Sequence, residues 1–361
     1  MPVNECFLLV VAAAAAALLS LTLVSLVRRA ALRLRILDSP TERSLHSQPT
    51  PRGGGVAIVV VSLSGILLCW ALVPFWAALP VLSFIGAALL VSAVSWRDDV
   101  RSLPNVVRFG AHALAAVVVL AWVGSWAVFE APALGLFRFG YFSLPVTLLW
   151  VAGLTNAYNF MDGIDGIAGS QAVVAGIGWV ALAGNTDRIE TWLGLLLAAS
   201  SLGFLGHNWP PAKIFMGDVG SAFLGFSFAV LAIMGARHDP RLALAGMLVV
   251  WPFVFDTSFT FLRRLRKGEN VFKAHRSHLY QRLVLVGYSH RFVTCLYGVL
   301  AALGVLLALI WEQRIAAASW LVPSGLASAM VGLWLFVGWA ERHQRTSNLV
   351  SADGGKGWPT L

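Results

Sequence analysis

The sequence predicts an all-α fold, a polytopic transmembrane helical bundle of about ten or eleven spans. Three observations point to it. Of 361 residues, 58% are hydrophobic and 12% charged, and the mean hydropathy is +0.77, outside the range of a soluble domain. Apolar runs near the roughly 20 residues needed to cross a hydrocarbon core about 30 Å thick recur along the whole chain. The basic residues fall in short loops between those runs rather than on one amphipathic face, so the net charge of +9 reads as a topology signal and not as a nucleic-acid surface.

The runs lie at about 5–27, 54–73, 76–95, 106–124, 143–158, 166–184, 190–206, 219–235, 242–261, 291–311 and 319–340. In the first, Arg28 and Arg29 follow the apolar stretch, whereas a cleavable signal peptide carries its positive charge ahead of it. It is read as a retained span with an external N-terminus. Lys and Arg crowd one set of alternate loops, at 28–52, 97–108, 213, 263–291 and 342–356, while the opposite set has only Arg138, Arg188, Arg237, Arg241 and Arg314. Cytoplasmic loops are enriched in these residues, which places the C-terminus inside. Cys6, Cys69 and Cys295 each sit in an apolar segment without metal-ligand or pairing spacing, as small hydrophobes do. Residues 1–340 read as one integral membrane domain and 341–361 as a flexible polar cytoplasmic tail. No internal repeat suggests transporter halves.

Nearly every acidic cluster then falls on the cytoplasmic side. Asp98 and Asp99 end the third run; adjacent carboxylates repel unless a cation or a shared proton relieves them, so the pair suits a metal, a general base or a solvated acidic loop balanced by Arg97 and Arg101. In Asn156-Ala-Tyr-Asn159-Phe-Met-Asp162-Gly163-Ile164-Asp165-Gly166, polar groups recur about every three residues at the end of a span, as nucleotide or hydrated-metal ligands would; a capping loop is the plainer reading, at a high cost beside so apolar a run. Asn208-Trp-Pro-Pro-Ala-Lys213-Ile-Phe215-Met-Gly217-Asp218 leads into the eighth run; Asp218 suits a helix cap and also a magnesium ligand, and Phe215 a stacking face. The longest cytoplasmic loop carries His275, Arg276, His278 and Arg282, without the partners of a tetrahedral zinc site; a phosphate-facing role and a basic membrane surface both fit. Asp256, inside the ninth run, points into the bundle. The Pro- and Gly-rich stretch Asp38 to Gly55 holds Arg43, His46 and Arg52, which suit phosphate, although a Pro/Gly loop before a membrane helix is by itself unremarkable.

Taken in this order on one membrane face, the motifs resemble the polyprenyl-phosphate N-acetylhexosamine-1-phosphate transferase family, glycosyltransferase family 4, over about Asp38 to Leu283. The resemblance implies a magnesium-dependent reaction, with Mn2+ as the alternative ion, at the cytoplasmic face of a bacterial inner membrane. In it the phosphate of undecaprenyl phosphate attacks the sugar-bearing phosphorus of a UDP-N-acetylhexosamine and UMP leaves. Carried onto this chain, it points to Asp98, Asp99, Asp218 and His278 as catalytic, and to Asp98, Asp99 and above all Asp218 as metal ligands. Asp162, Gly163, Ile164 and Asp165 would line the uridine site with Phe215 on uracil. Asn156, Asn159 and Asn208 would add polar contacts, and Arg43, His46, Arg52, Arg108, His275, Arg276 and Arg282 would meet substrate.

The chain departs from the family in His278-Leu-Tyr-Gln-Arg-Leu283, where the peptidoglycan branch clusters histidines, and in Arg108, where lysine is common. Those departures lean toward the O-antigen-initiating branch, with UDP-FucNAc, UDP-QuiNAc or UDP-GlcNAc as donor, ahead of phospho-MurNAc-pentapeptide transfer. A lipid or solute transporter is the competing class, but it would put its ionisable groups near the midplane; a scaffold would not need the acids. A homodimer is left open.

Overall fold

The computed structural model describes residues 3–40, 45, 48–72, 76–270 and 275–353, with residues 3 and 345–353 as backbone alone. All eleven apolar runs are helical. In order come α1 (Val3–Leu34), α2 (Gly55–Leu72), α3 (Ala78–Val100), α4 (Asn105–Val123), α5 (Ser143–Met161), α6 (Ile167–Ala183), α7 (Ile189–Asn208) and α8 (Asp218–His238). The run at 242–261 is divided between α9 (Arg241–Leu248) and α10 (Trp251–Arg266), and the short α11 (Leu279–Leu285) precedes α12 (His290–Glu312) and α13 (Ala318–Asp353). The α9–α10 junction bends by 76°; Pro252 has no N–H to continue the ladder from α9, yet is well tolerated in the first turn of α10.

Among the described residues, eight helices are long and apolar enough to cross a membrane, and nine if the bent pair is one span. The chain is a multi-pass membrane protein. Neither α5, with Thr147, Thr155, Asn156 and Asn159, nor the 17-residue α6 is among them. Both still traverse the bundle. The helix α5 runs antiparallel to α8, from Trp150 Nε1 on the Ala229 carbonyl to Asn159 at Ser221, and α6 runs antiparallel to α7, Gly169 meeting Leu205 and Gly176 meeting Gly194. Thr147 and Thr155 are fully buried, so they face protein rather than lipid, and the apolar requirement relaxes.

Every residue of α8 from Val219 to Gly235 is buried, the pattern of a helix walled by protein on all sides. It packs against α2 to α7 and α9. A Cβ on Gly55 would lie 2.4 Å from Gly220 Cα, so α2 and α8 meet backbone to backbone at the end where α8 begins. That end also collects the C-termini of α3, α5 and α7 and the N-termini of α6 and α12, because successive helices alternate in direction.

Two small antiparallel ribbons complete the fold. β1 (Leu37–Asp38) pairs with β2 (Thr50–Pro51) near the start of α8, while β3 (Val128–Ala131) and β4 (Gly135–Arg138) form a hairpin at the opposite end. An ion pair between Arg241 and Glu130, 2.6 Å long, ties the hairpin to α9. The tail departs from expectation. The helix α13 continues unbroken to Asp353, and Glu341, where flexibility was expected to begin, pairs with Arg282 at 2.6 Å.

Gly55→Val is expected to force α2 from α8, because the clash is with backbone that cannot rotate away. The cost is about 1–3 kcal/mol, visible as a lower thermal midpoint of the purified protein in detergent.

Candidate active site

The Pro- and Gly-rich stretch acts as a strap over the start of α8. Phe215 N donates to the Pro51 carbonyl (2.8 Å), and Gly54 N and Gly55 N donate to the carbonyls of Phe215 and Met216 (2.9 Å each). Residues 51–55 thereby lie alongside 215–216, and Arg52 is delivered between the ends of α3 and α8. Its Nε is 2.8 Å from Asp99 and its Nη2 2.6 Å from Asp218. Burial opposes the Arg52 charge, but the carboxylates of Asp218, Asp99, Asp38 and Asp162 outweigh it and hold the guanidinium above its ordinary pKa.

The adjacent acids of α3 part company. Successive helical residues project about 100° apart, so Asp98 and Asp99 meet different neighbours. The Asp99 side chain is fully buried and accepts from the backbone amides of Asp218 (2.9 Å) and Val219 (3.0 Å). It therefore caps α8 from another helix, satisfying amides that have no intrahelical partner. Asp98 instead accepts from Leu103 N and from Arg108 Nη1 at 2.8 Å, and that same nitrogen is 3.3 Å from Asp218. Asp98 and Asp218 thus converge on one cation, as two hard oxygen donors would on magnesium. Asp99 does not fit such a donor set, since its oxygens are engaged by two amides and a guanidinium. Among the described residues no three His, Cys, Asp or Glu side chains are grouped to hold a metal ion, so an ion here would draw its remaining ligands from substrate phosphates and water, the usual habit of Mg2+.

Beside this cluster is a polar cavity of about 230 Å3. Arg52, Asn159, Asp162, Asp165, Phe215 and Asp218 line it, and so do Gly163, Ile164 and Asn208. Asn208 spends both ends of its amide on the backbone, accepting from Gly166 N and donating to the Ile214 carbonyl, 2.9 Å each; it shapes the cavity through the turns it joins. Asp162 lies past the end of α5, where burial and the neighbouring Asp218 charge push its carboxyl well above the usual range against the pull of Arg52.

Other residues singled out from the sequence are elsewhere. Asn156 donates to the Ala152 carbonyl of its own helix and does not line the cavity. Arg282 is held in a fork by Glu341, 2.7 and 2.6 Å, which uses the geometry a phosphate would need. His278 is 5% exposed and bound to Asp256, so it is part of the packing beneath the site. The His275 ring lies tilted beside that of His278, centroids 5.1 Å apart, and neither it nor Arg276 lines the cavity. Arg43 and His46 lie outside the described residues. Among the lining residues not foreseen as site residues are the polar Asp38, Gln281 and His290. His290 opens α12 with its Nδ1 3.4 Å from Asp165; a lone histidine after a Gly-Tyr-Ser turn carries no signal until α12 is seen to abut the α5–α6 turn.

At this end of the bundle three carboxylates, Asp98, Asp99 and Asp218, share two arginines beside a polar cavity. The family model described as Glycosyl transferase family 4 matches residues 81–236. The chain is 32% identical to a probable undecaprenyl-phosphate N-acetylglucosaminyl 1-phosphate transferase of Bacillus subtilis over 288 residues, 78% of this chain and 79% of that protein. It belongs to the polyprenyl-phosphate N-acetylhexosamine-1-phosphate transferase family. A decaprenyl-phosphate N-acetylglucosaminephosphotransferase of Mycobacterium leprae is 30% identical, with 78% of each chain covered. An undecaprenyl-phosphate alpha-N-acetylglucosaminyl 1-phosphate transferase of Escherichia coli is 27% identical over 77% of this chain and 78% of its own. As a member of this family the chain is a polyprenyl-phosphate sugar-1-phosphate transferase.

The different surroundings of the two α3 acids in this transferase predict different mutant phenotypes. Asp99→Asn leaves Arg52 paired with Asp218 alone and sets an amide group against two N–H donors, and should destabilise by about 1–3 kcal/mol. Asp98→Asn, at the rim, should leave the thermal midpoint nearly unchanged while lowering turnover. Comparing melting with activity for the two variants checks this.

The raised pKa of Asp162 fixes the sign of a pH effect. The folded state holds the proton longer than the unfolded one, so stability falls as pH rises from the ordinary value of 3.8 through the folded pKa. Asp162→Asn removes that penalty. The variant should gain thermal stability relative to the native protein at pH 8 and show no gain at pH 4.

Proposed function

We propose that this protein transfers N-acetylglucosamine 1-phosphate, or a close N-acetylhexosamine analogue, from its UDP-sugar to undecaprenyl phosphate, releasing UMP. The acceptor would be loaded at the cytoplasmic face of the bacterial inner membrane, the side the Lys and Arg bias assigns to the working end. The product would start a lipid-linked polysaccharide such as an O-antigen. The observation that best supports this is the adjacency of the Arg52–Asp99–Asp218–Arg108–Asp98 cluster to the Asp162–Asp165 cavity, because the reaction needs a diphosphate held between a nucleotide pocket and an anionic nucleophile. The names of the similar proteins favour the GlcNAc donor.

In this reading an oxygen of the lipid phosphate forms a bond to the sugar-bearing phosphorus. The bond from that phosphorus to the bridging oxygen breaks, and its electron pair leaves with UMP. The nucleophile is already largely ionised at neutral pH, so little proton abstraction is required and Asp98 has no need to act as a base. The main barrier is repulsion between anions. Arg52 and Arg108 lessen it by turning from the carboxylates toward the phosphates. Bound magnesium, or manganese in its place, would supply charge neutralisation at the diphosphate, held by Asp98 and Asp218. Phe215 offers a face for the base, and Asn159 and Asp162 offer polar contacts to the nucleoside.

Purified protein with undecaprenyl phosphate, Mg2+ and a panel of UDP-GlcNAc, UDP-FucNAc and UDP-QuiNAc should release UMP, fastest from UDP-GlcNAc. Chelation with EDTA should stop the reaction and Asp218→Ala should reduce it by at least about a thousandfold, in line with losing a main charge-stabilising group. Absence of UMP release from every donor, or an Asp218→Ala variant as fast as the native protein, would refute the assignment.

A further inference from the structure

The helix α10 wears its polar face inward. Asp256, Thr260 and Arg264, one turn apart, are buried, while Phe261, Leu262 and Leu265 are exposed. A fully buried carboxylate in a membrane protein is costly unless its lone pairs are filled. Asp256 fills them from three elements. Its Oδ1 accepts from Leu279 N (2.8 Å), Thr260 Oγ1 (3.2 Å) and His278 Nδ1 (3.2 Å), and its Oδ2 accepts from the Tyr297 hydroxyl (2.6 Å) and Tyr280 N (3.1 Å). One side chain therefore ties α10 to the start of α11 and to α12.

Both partners of this clamp reach the nucleotide cavity. The Tyr280 hydroxyl donates to the Phe160 carbonyl at 3.0 Å, and a Cβ on Gly163 would lie 2.1 Å from that hydroxyl, so the tyrosine is wedged beneath the turn after α5. From the other side, Thr294 Oγ1 of α12 donates to the Asp165 carbonyl (2.8 Å) and His290 faces the Asp165 carboxylate. The residue after Tyr280, Gln281, lines the cavity itself.

We propose that Asp256 is a positioning residue for the donor nucleotide: without touching substrate, it sets the Asp162–Asp165 turn through Tyr280 and α12. The identity of the nucleotide rests on the transferase reading above; the clamp rests on geometry alone. Asp98, Arg108 and Asp218, which would meet the magnesium ion and the reacting phosphates, are not among the hydrogen-bond partners of Asp256 in the described residues. Its loss should therefore weaken nucleotide binding without a matching effect on the lipid substrate, a split that general destabilisation would not produce.

The test compares native protein with Asp256→Asn and Tyr280→Phe. Asp256→Asn keeps the volume but turns an NH2 toward N–H donors. It should raise the KM for UDP-GlcNAc and the calorimetric Kd for UMP about tenfold, the effect of a lost charge-assisted hydrogen bond, while kcat and the KM for undecaprenyl phosphate stay within about twofold. Tyr280→Phe, which removes only the link to Phe160, should shift the same two constants about threefold. A fall in kcat with the UDP-GlcNAc KM unchanged, or an equal rise in both KM values, overturns the proposal. If Asp256→Asn does not fold, Tyr280→Phe decides: an unchanged Kd for UMP overturns it. Native protein that binds UMP but transfers no sugar would instead count against the transferase reading and leave the clamp to be judged by UMP binding.

Discussion

The Asp99 carboxylate has no access to water, and its surroundings explain how one end of the bundle is organised. Arg52 comes to it from the strap between α1 and α2, and the Asp218 and Val219 amides come from the first turn of α8. Three segments distant in sequence are thus bound at one anionic centre. With that centre in place, the α8 axis is fixed against α3, Gly55 can seat on Gly220, and Asp218 is presented at the mouth of the cavity. A carboxylate at the start of a buried helix is favourable for the same reason that anions gather at helix N-termini: amides there lack partners and the dipole is positive.

Charge around that centre is shared rather than paired off one to one. Asp218 shares Arg52 with Asp99 and shares Arg108 with Asp98. Shared cations are easier to redirect than dedicated ones, because each acid keeps a second partner while an arginine turns toward phosphate. Arg282 illustrates the contrary case. Its fork is closed on Glu341, and its work is to anchor α13.

The bilayer-spanning character and the position of each helix along the chain were legible in the sequence, since both depend on local composition, although α1 and α13 run on past their apolar stretches and one run breaks into α9 and α10. That the Asn159–Asp165 segment and Phe215 would line a polar cavity was legible because polar groups at the end of a long apolar run have few bland explanations. The histidine loop was misleading. His278 and Arg282 have the chemistry of phosphate ligands, but their partners, Asp256 and Glu341, lie 22 and 59 residues away, and no local pattern announces that they are already engaged. His290 and Gln281 were invisible for the opposite reason, being ordinary residues that matter only because α11 and α12 abut the α5–α6 turn.

By itself, then, the sequence determined that this chain enters a membrane, which stretches are helical and which family it joins, because hydropathy and motif order are properties of neighbours along the chain. Tertiary structure alone decided what each acid does. Asp98 and Asp99 are adjacent and chemically identical in the sequence; a rotation of 100° about the α3 axis sends one to the rim beside Arg108 and the other beneath α8 as its cap. The same holds for Asp256, whose role depends wholly on which donors the fold brings to a carboxylate that cannot reach water.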